Sequence, residues 1–163
     1  MFTNMYQLMN KKLYALDEKD FQIIKQLTKN SRISIRGLAK KVEMKPSSVF
    51  NRLRRIESAG IIRRYTIELN HEALGKCVMA YIFIRYDPLS KREQTEIGRE
   101  ILKIGNCESV LIITGEWDMI AIVRTKDVPT LSKIILDRIR KVEGVAHTLS
   151  VIVLKEMKKS DHL

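Results

Sequence analysis

Apolar residues recur every three or four positions through the first 60 residues, then change to runs and alternations. The first period predicts short amphipathic helices. Leu16-Asp17-Glu18-Lys19-Asp20-Phe21 reads as a helix start: Asp17 caps, Asp20 reaches back, and Leu16 packs on Phe21. Phe21, Ile24 and Leu27 follow at helical spacing with Ile23 beside them, and Asn30 is the expected stop. Ser34 caps a second helix with the stripe Ile35, Leu38, Ala39 and Val42. Glu43-Met44-Lys45 makes a tight connection, and Pro46 suits the first position of a third helix running to about Ala59. Gly60 ends it. Tyr65, Ile67 and Leu69 then alternate with Thr66 and Glu68, which predicts a strand, and Asn70 to Gly75 is the expected boundary.

Two short helices joined by a turn of three or four residues make a helix-turn-helix. On the third helix Val49, Leu53 and Ile56 share one face. Ser47, Asn51, Arg54, Arg55 and Ser58 fall on or near the other, with Ser48 and Arg52 on a flank. Arg can grip guanine through two acceptors, Asn can pair bidentately with adenine, and short hydroxyls reach base edges or phosphates. Phe50 sits at the boundary, as suited to packing as to touching a thymine methyl. Charge sharpens this picture. The net charge is +11, and between Arg32 and Arg64 ten basic residues face only Glu43 and Glu57. Such an excess in one segment points to a polyanion partner; an ordinary solvated helix face is the alternative. Arg32, Ser34 and Lys45 before the third helix, and Arg63 and Arg64 after it, complete the candidate DNA contacts.

The second half alternates strands and helices: Val78 to Tyr86 a strand, Ser90 to about Ile104 a helix, Glu108 to Thr114 and Met119 to Thr125 strands. Asp127 caps a helix that Gly144 ends, and Thr148 to Leu154 is the last strand. The order β-α-β-β-α-β is the ferredoxin-like arrangement, so the fold class is α+β. The strands are too apolar for both sheet faces to be served by two helices. Ile112, Ile113, Ile120, Ile122, Val151, Ile152 and Val153 predict packing of the sheet on a second copy. Composition narrows the alternatives. The longest apolar run, Cys77 to Ile84, has eight residues, against about 20 for a membrane span. No signal-peptide stretch is recognised, so a cytoplasmic, nucleoid-associated location is expected. Two cysteines are too few for a disulfide scaffold. His71, His147 and His162 are scattered, and phosphate-loop, dinucleotide and metal-ligand patterns are missing, so neither catalysis, a metal nor a cofactor is expected. RNA stacking on the sheet would need aromatics on its central strands, and Met119-Ile120-Ala121-Ile122-Val123 has none.

From about Leu16 to Lys158 the chain resembles the leucine-responsive and asparagine regulator family, the feast/famine (Lrp/AsnC) regulators. The resemblance rests on Leu16-Asp17-x-x-Asp20-x-x-Ile24-x-x-Leu27, Ser31-Arg32-Ile33-Ser34 and Leu38-Ala39-x-x-Val42. It continues through Ser48-Val49-x-x-Arg52-Leu53-x-Arg55-Ile56-Glu57-x-x-Gly60-Ile61-Ile62-x-x-Tyr65, then Thr114-Gly115-x-x-Asp118, and the closing strand Val145 to Leu154. It implies a winged-type three-helix DNA-binding domain at 16–60, a linking strand or hinge at 61–76, and a ferredoxin-like (RAM) effector and assembly domain at 77–158. A 1–15 extension and a 159–163 tail flank them. It also implies a bacterial or archaeal transcriptional regulator that binds pseudo-palindromic double-stranded DNA as a dimer or higher oligomer such as an octamer, and responds to an amino acid or related metabolite. Family effector contacts carry over to Thr114, Gly115 and Asp118. Gly115 lets backbone N–H groups approach a carboxylate and Asp118 can receive an ammonium, while Glu116 and Trp117 occupy variable positions that tune ligand choice. A plain hairpin turn is the alternative there, and a ligand-independent architectural DNA-binding protein is the alternative for the whole chain. One departure stands out. The family usually has Gly-Leu-Ser before the recognition helix, where this chain has Glu43-Met44-Lys45, and Lys45 has no side-chain oxygen with which to cap.

Overall fold

Helix α1 (Glu18–Lys29) starts where the sequence places it. The Asp17 carboxylate accepts the Asp20 N–H at 2.9 Å and Asp20 accepts the Asp17 N–H at 3.2 Å, a reciprocal capping box. The computed structural model describes residues 15–157, so the expectations for the 1–15 extension, apart from Ala15, and for the 159–163 tail fall outside it. The buried stripe of α1 is Asp20, Ile23 and Leu27. Phe21 stands exposed, and Leu16 packs on the helical core. The Ser34 hydroxyl accepts the Gly37 N–H at the start of α2 (Ile35–Lys41), and Pro46 opens α3 (Pro46–Ser58) after an Lys45 that makes no side-chain cap. Ile23, Leu38, Val42, Val49 and Ile56, none more than 2% exposed, form the core of the three helices.

The strand expected at Tyr65–Leu69 is not formed among the described residues. A strand needs a neighbour to pair with, and Tyr65, Ile67 and Leu69 are left exposed. The chain beyond α3 borders a groove of about 830 Å³ beside α1, lined by Ile24, Leu27, Arg63, Arg64, Tyr65 and others.

The chain divides into two compact units at Glu68/Leu69. The second holds β1 (Val78–Tyr86), α4 (Gln94–Leu102), β2 (Cys107–Ile112), β3 (Met119–Thr125), α5 (Val128–Asp137), a 3-10 turn at Ile139–Lys141 and β4 (Val145–Ile152). All pairings are antiparallel and the strand order is β2-β3-β1-β4, the ferredoxin-like sheet. Ala80, Ile82 and Ile84 of β1 and Met119, Ala121 and Val123 of β3 point to the helical side, against Ile97, Ile101, Leu131, Ile134 and Ile135. Helix α4 is shorter than expected because Asp87 to Arg92 is taken up by turns: the Asp87 carbonyl accepts Ser90 N–H, and the Ser90 hydroxyl accepts Arg92 N–H. Gly144 has φ of +94°, and a Cβ there would lie 2.3 Å from Ile97 Cδ1, so only glycine fits this corner.

Candidate nucleic-acid interface and effector turn

Helix α3 separates its residues by chemistry. Val49 and Ile56 are buried and Leu53 half-buried, anchoring one side. Ser47, Asn51, Arg54, Arg55 and Ser58 are exposed on the other, and Ser48 is half-buried on the flank. Lys45 at the helix start and Arg32, Arg63 and Arg64 are exposed. Ser34 spends a lone pair on its cap and keeps a hydroxyl hydrogen to donate. The turn between α2 and α3 places Glu43 at φ +54°, the left-handed region where the related Gly would sit without strain.

Arg52 departs from its expected role as a DNA contact. Its guanidinium faces inward, donating to Asp20 Oδ1 at 2.8 Å and to the Asp17 carboxylate. Asp20 is only 1% exposed. These bonds raise the Arg52 pKa, and Arg52 together with the Asp20 N–H holds the Asp17 carboxyl below its ordinary value. Arg52 is therefore a clamp between the start of α1 and the middle of α3, not a base-reading group. Sequence reasoning placed it on a flank correctly; what it missed was that the two capping carboxylates lie within reach. Just beyond α3, Tyr65 donates to Glu57 Oε1 at 2.6 Å, and partial loss of water around its phenol, together with that carboxylate, pushes it up to about 12.

The turn between β2 and β3 is framed by the end of β1. Gly115 has φ of +122°. Asp118 Oδ2 accepts the Tyr86 N–H at 2.8 Å, and its other oxygen lies 3.5 Å from Gln94 Nε2. The Arg85 guanidinium donates to the Glu116 carbonyl at 3.2 Å and carboxylate at 3.3 Å and lies 5.3 Å from the centre of the Trp117 ring. Trp117 also meets Phe83 at 6.1 Å, their planes tilted by 57°. Thr114 is exposed. Sequence reasoning found the turn and missed its frame, Phe83, Arg85 and Tyr86, because those residues lie about thirty positions upstream and meet it only through the β1–β3 register.

Phe83 belongs to the sheet face turned away from the helices. Register puts Tyr81, Phe83, Leu111, Ile120, Ile122, Leu149 and Val151 together there. Leu111, Leu149 and Val151 are 44–49% exposed. Ile112 and Ile152, by contrast, pair with Met119 and Ala80 and so lie on the helical side, at its margins.

Comparison with known proteins joins the two units. A model of the Lrp/AsnC ligand binding domain matches residues 79–163. The chain belongs to the Lrp/AsnC family. A winged helix-turn-helix DNA-binding model matches residues 16–63. An HTH-type transcriptional regulator of Pyrococcus furiosus is 33% identical over 88% of this chain and 96% of its own. The regulator LysM of Sulfurisphaera tokodaii is 32% identical over 86% and 96%. Among solved structures, a transcriptional regulator of Neisseria meningitidis in complex with L-methionine superposes with a TM-score of 0.82 at 28% identity, covering 89% of this chain and 94% of its own. A feast or famine regulatory protein of Mycobacterium tuberculosis, also complexed with L-methionine, gives 0.81 at 28%, covering 91% and 99%. This Lrp/AsnC chain is thus an HTH-type transcriptional regulator with the family's ligand-binding domain, and among its described residues no helix is long and apolar enough to cross a membrane.

Proposed function

We propose that this Lrp/AsnC regulator reads duplex DNA with the outward ridge of α3, as a dimer whose two α3 helices address half-sites about one helical turn apart. The observation that carries the reading is the division of α3 itself: an apolar anchor of Val49, Leu53 and Ile56 behind exposed Ser47, Asn51, Arg54 and Arg55. Asn51, Arg54 and Arg55 address base edges, and Ser47 and Ser48 reach bases or phosphates. Arg32, Ser34, Lys45, Arg63 and Arg64 hold the phosphate backbone. The chain from 61 to 76 links the two domains. The open apolar sheet face supports assembly through the second unit, because a patch of that character is normally covered.

The effector is an amino acid or a close relative. Gly115 lets backbone N–H groups approach its carboxylate. Asp118 receives its ammonium on lone pairs left over from the Tyr86 and Gln94 contacts. Thr114, Glu116 and Trp117 shape the choice of side chain. The L-methionine complexes of the two solved relatives support this class of ligand.

Selection of bound sequences followed by footprinting tests the DNA reading. Discrete two-fold sites are expected, with affinity falling steeply as salt rises. Uniform coating without preferred sites refutes sequence reading in favour of an architectural role. Calorimetry across the twenty amino acids, with Asp118→Ala as control, tests the effector reading; no heat from any of them removes the amino-acid reading and leaves a related metabolite.

A further inference from the structure

The outward ridge of α3 contains a residue that neither the motif nor the family match assigns. Ser47, Phe50, Asn51, Arg54 and Ser58 follow at the spacing that lines one helical face. Phe50, in the middle of this polar set, is 47% exposed. It is not part of the helical core. The Arg54 guanidinium lies 5.7 Å from the centre of its ring. A phenyl group outside the core and half open to water among serines, asparagine and arginines gains little for the fold of this unit; it gains more when another surface covers it. The surrounding charge states what that surface is: the segment from Arg32 to Arg64 has ten cations against two anions, complementary to duplex DNA.

In the major groove the base edges offer hydrogen-bonding groups and one apolar group, the C5-methyl of thymine. We propose that Phe50 is a specificity-determining residue that packs on a thymine methyl in each half-site and positions Arg54 for the neighbouring base. The cation over the ring keeps the guanidinium on the ridge, at the step next to the methyl. The preference so created is for the methyl itself, not for the A·T pair, since deoxyuridine presents the same hydrogen-bonding edge as thymine without that group.

The proposal rests on the groove reading above, and the experiment separates the two. A preferred site is selected with the full-length wild-type protein, and each thymine is replaced singly by deoxyuridine. Wild-type affinity is expected to fall about fourfold at one position per half-site, the loss for burying one methyl fewer. Phe50→Ala binds more weakly and is expected to ignore that substitution. Phe50→Leu, which keeps an apolar side chain in the groove, retains the preference. Because the ring lies outside the core, circular dichroism should report both variants folded. A wild-type protein that selects a site yet binds thymine and uracil versions equally overturns the proposal and leaves the groove reading standing. So does a Phe50→Ala variant that keeps the full uracil penalty, or one whose only change is in subunit association. A wild-type protein that selects no DNA overturns both.

Discussion

The outer ridge of α3 and the β2–β3 turn are both exposed, both polar and both rich in recognition chemistry, yet they are built in opposite ways. Ridge residues stand on a helix anchored from behind, and Arg54 rests on a ring of the same ridge. The turn residues are bound into a frame. Asp118 holds the backbone of Tyr86, Glu116 holds Arg85, and Trp117 is pinned between Phe83 and Arg85. A rigid display suits a partner whose grooves are regular and preformed. A turn that carries its own internal bonds must share or exchange them when a ligand enters, and that exchange is a route by which occupancy can alter structure.

The sharpest break in this comparison comes from Arg52, which looks like a ridge residue and acts as part of a frame. Arg52→Ala takes the cation away from the nearly inaccessible Asp20 carboxylate, which keeps the Asp17 N–H, and is expected to lower unfolding stability by about 3 kcal/mol, the lower end for a broken buried pair because Arg52 keeps some contact with water. Chemical denaturation followed by circular dichroism measures it. Acid reaches the same contact. Asp17 has its folded pKa depressed, chiefly by Arg52, so its contribution is present above the ordinary carboxylate range and is lost as pH falls through the folded value. An acid-unfolding series should show that loss in the wild type and a diminished one in Arg52→Ala.

Arg54→Ala is the counterpart on the ridge. Operator affinity should drop by about 1–3 kcal/mol in a gel shift if Arg54 grips a base, while the unfolding midpoint stays within about 0.5 kcal/mol of wild type. Equal loss of stability and binding would place it with Arg52. At the turn, Asp118→Ala removes the acceptor for Tyr86 N–H and should destabilise the sheet unit by about 1 kcal/mol. Asp118→Asn keeps an acceptor while removing the charge, so it should spare stability and abolish the heat of amino-acid binding. The smallest effect is a gain. Glu43→Gly relieves the left-handed backbone at the α2–α3 turn and should raise stability by about 0.5–1 kcal/mol, read as a higher melting temperature.

Local signals in the sequence carried well. The capping residues Asp17, Ser34 and Asp127, the proline opening α3 and the strands Val78–Tyr86 and Met119–Thr125 all follow from residue type and short-range period, and the structure has them there. The differences arise where a distant group decides. Apolar spacing gave α1 the stripe Phe21, Ile24 and Leu27, but the position facing α3 is Asp20, because Arg52 makes a carboxylate tolerable there. The alternation at 65–69 is a strand pattern without a partner among the described residues, and pattern alone cannot supply one. Thr114, Gly115 and Asp118 were legible as a turn. The bond from Asp118 to Tyr86 was not, since it depends on the antiparallel register of strands far apart in the chain.

The Arg52 clamp has a mechanical consequence. It joins the first turn of α1 to the centre of α3, so these two helices hold together as a single stiff wedge. Whatever message reaches this end of the protein can swing that wedge or hold it still; it cannot bend α3 against α1 without first tearing a cation from two carboxylates.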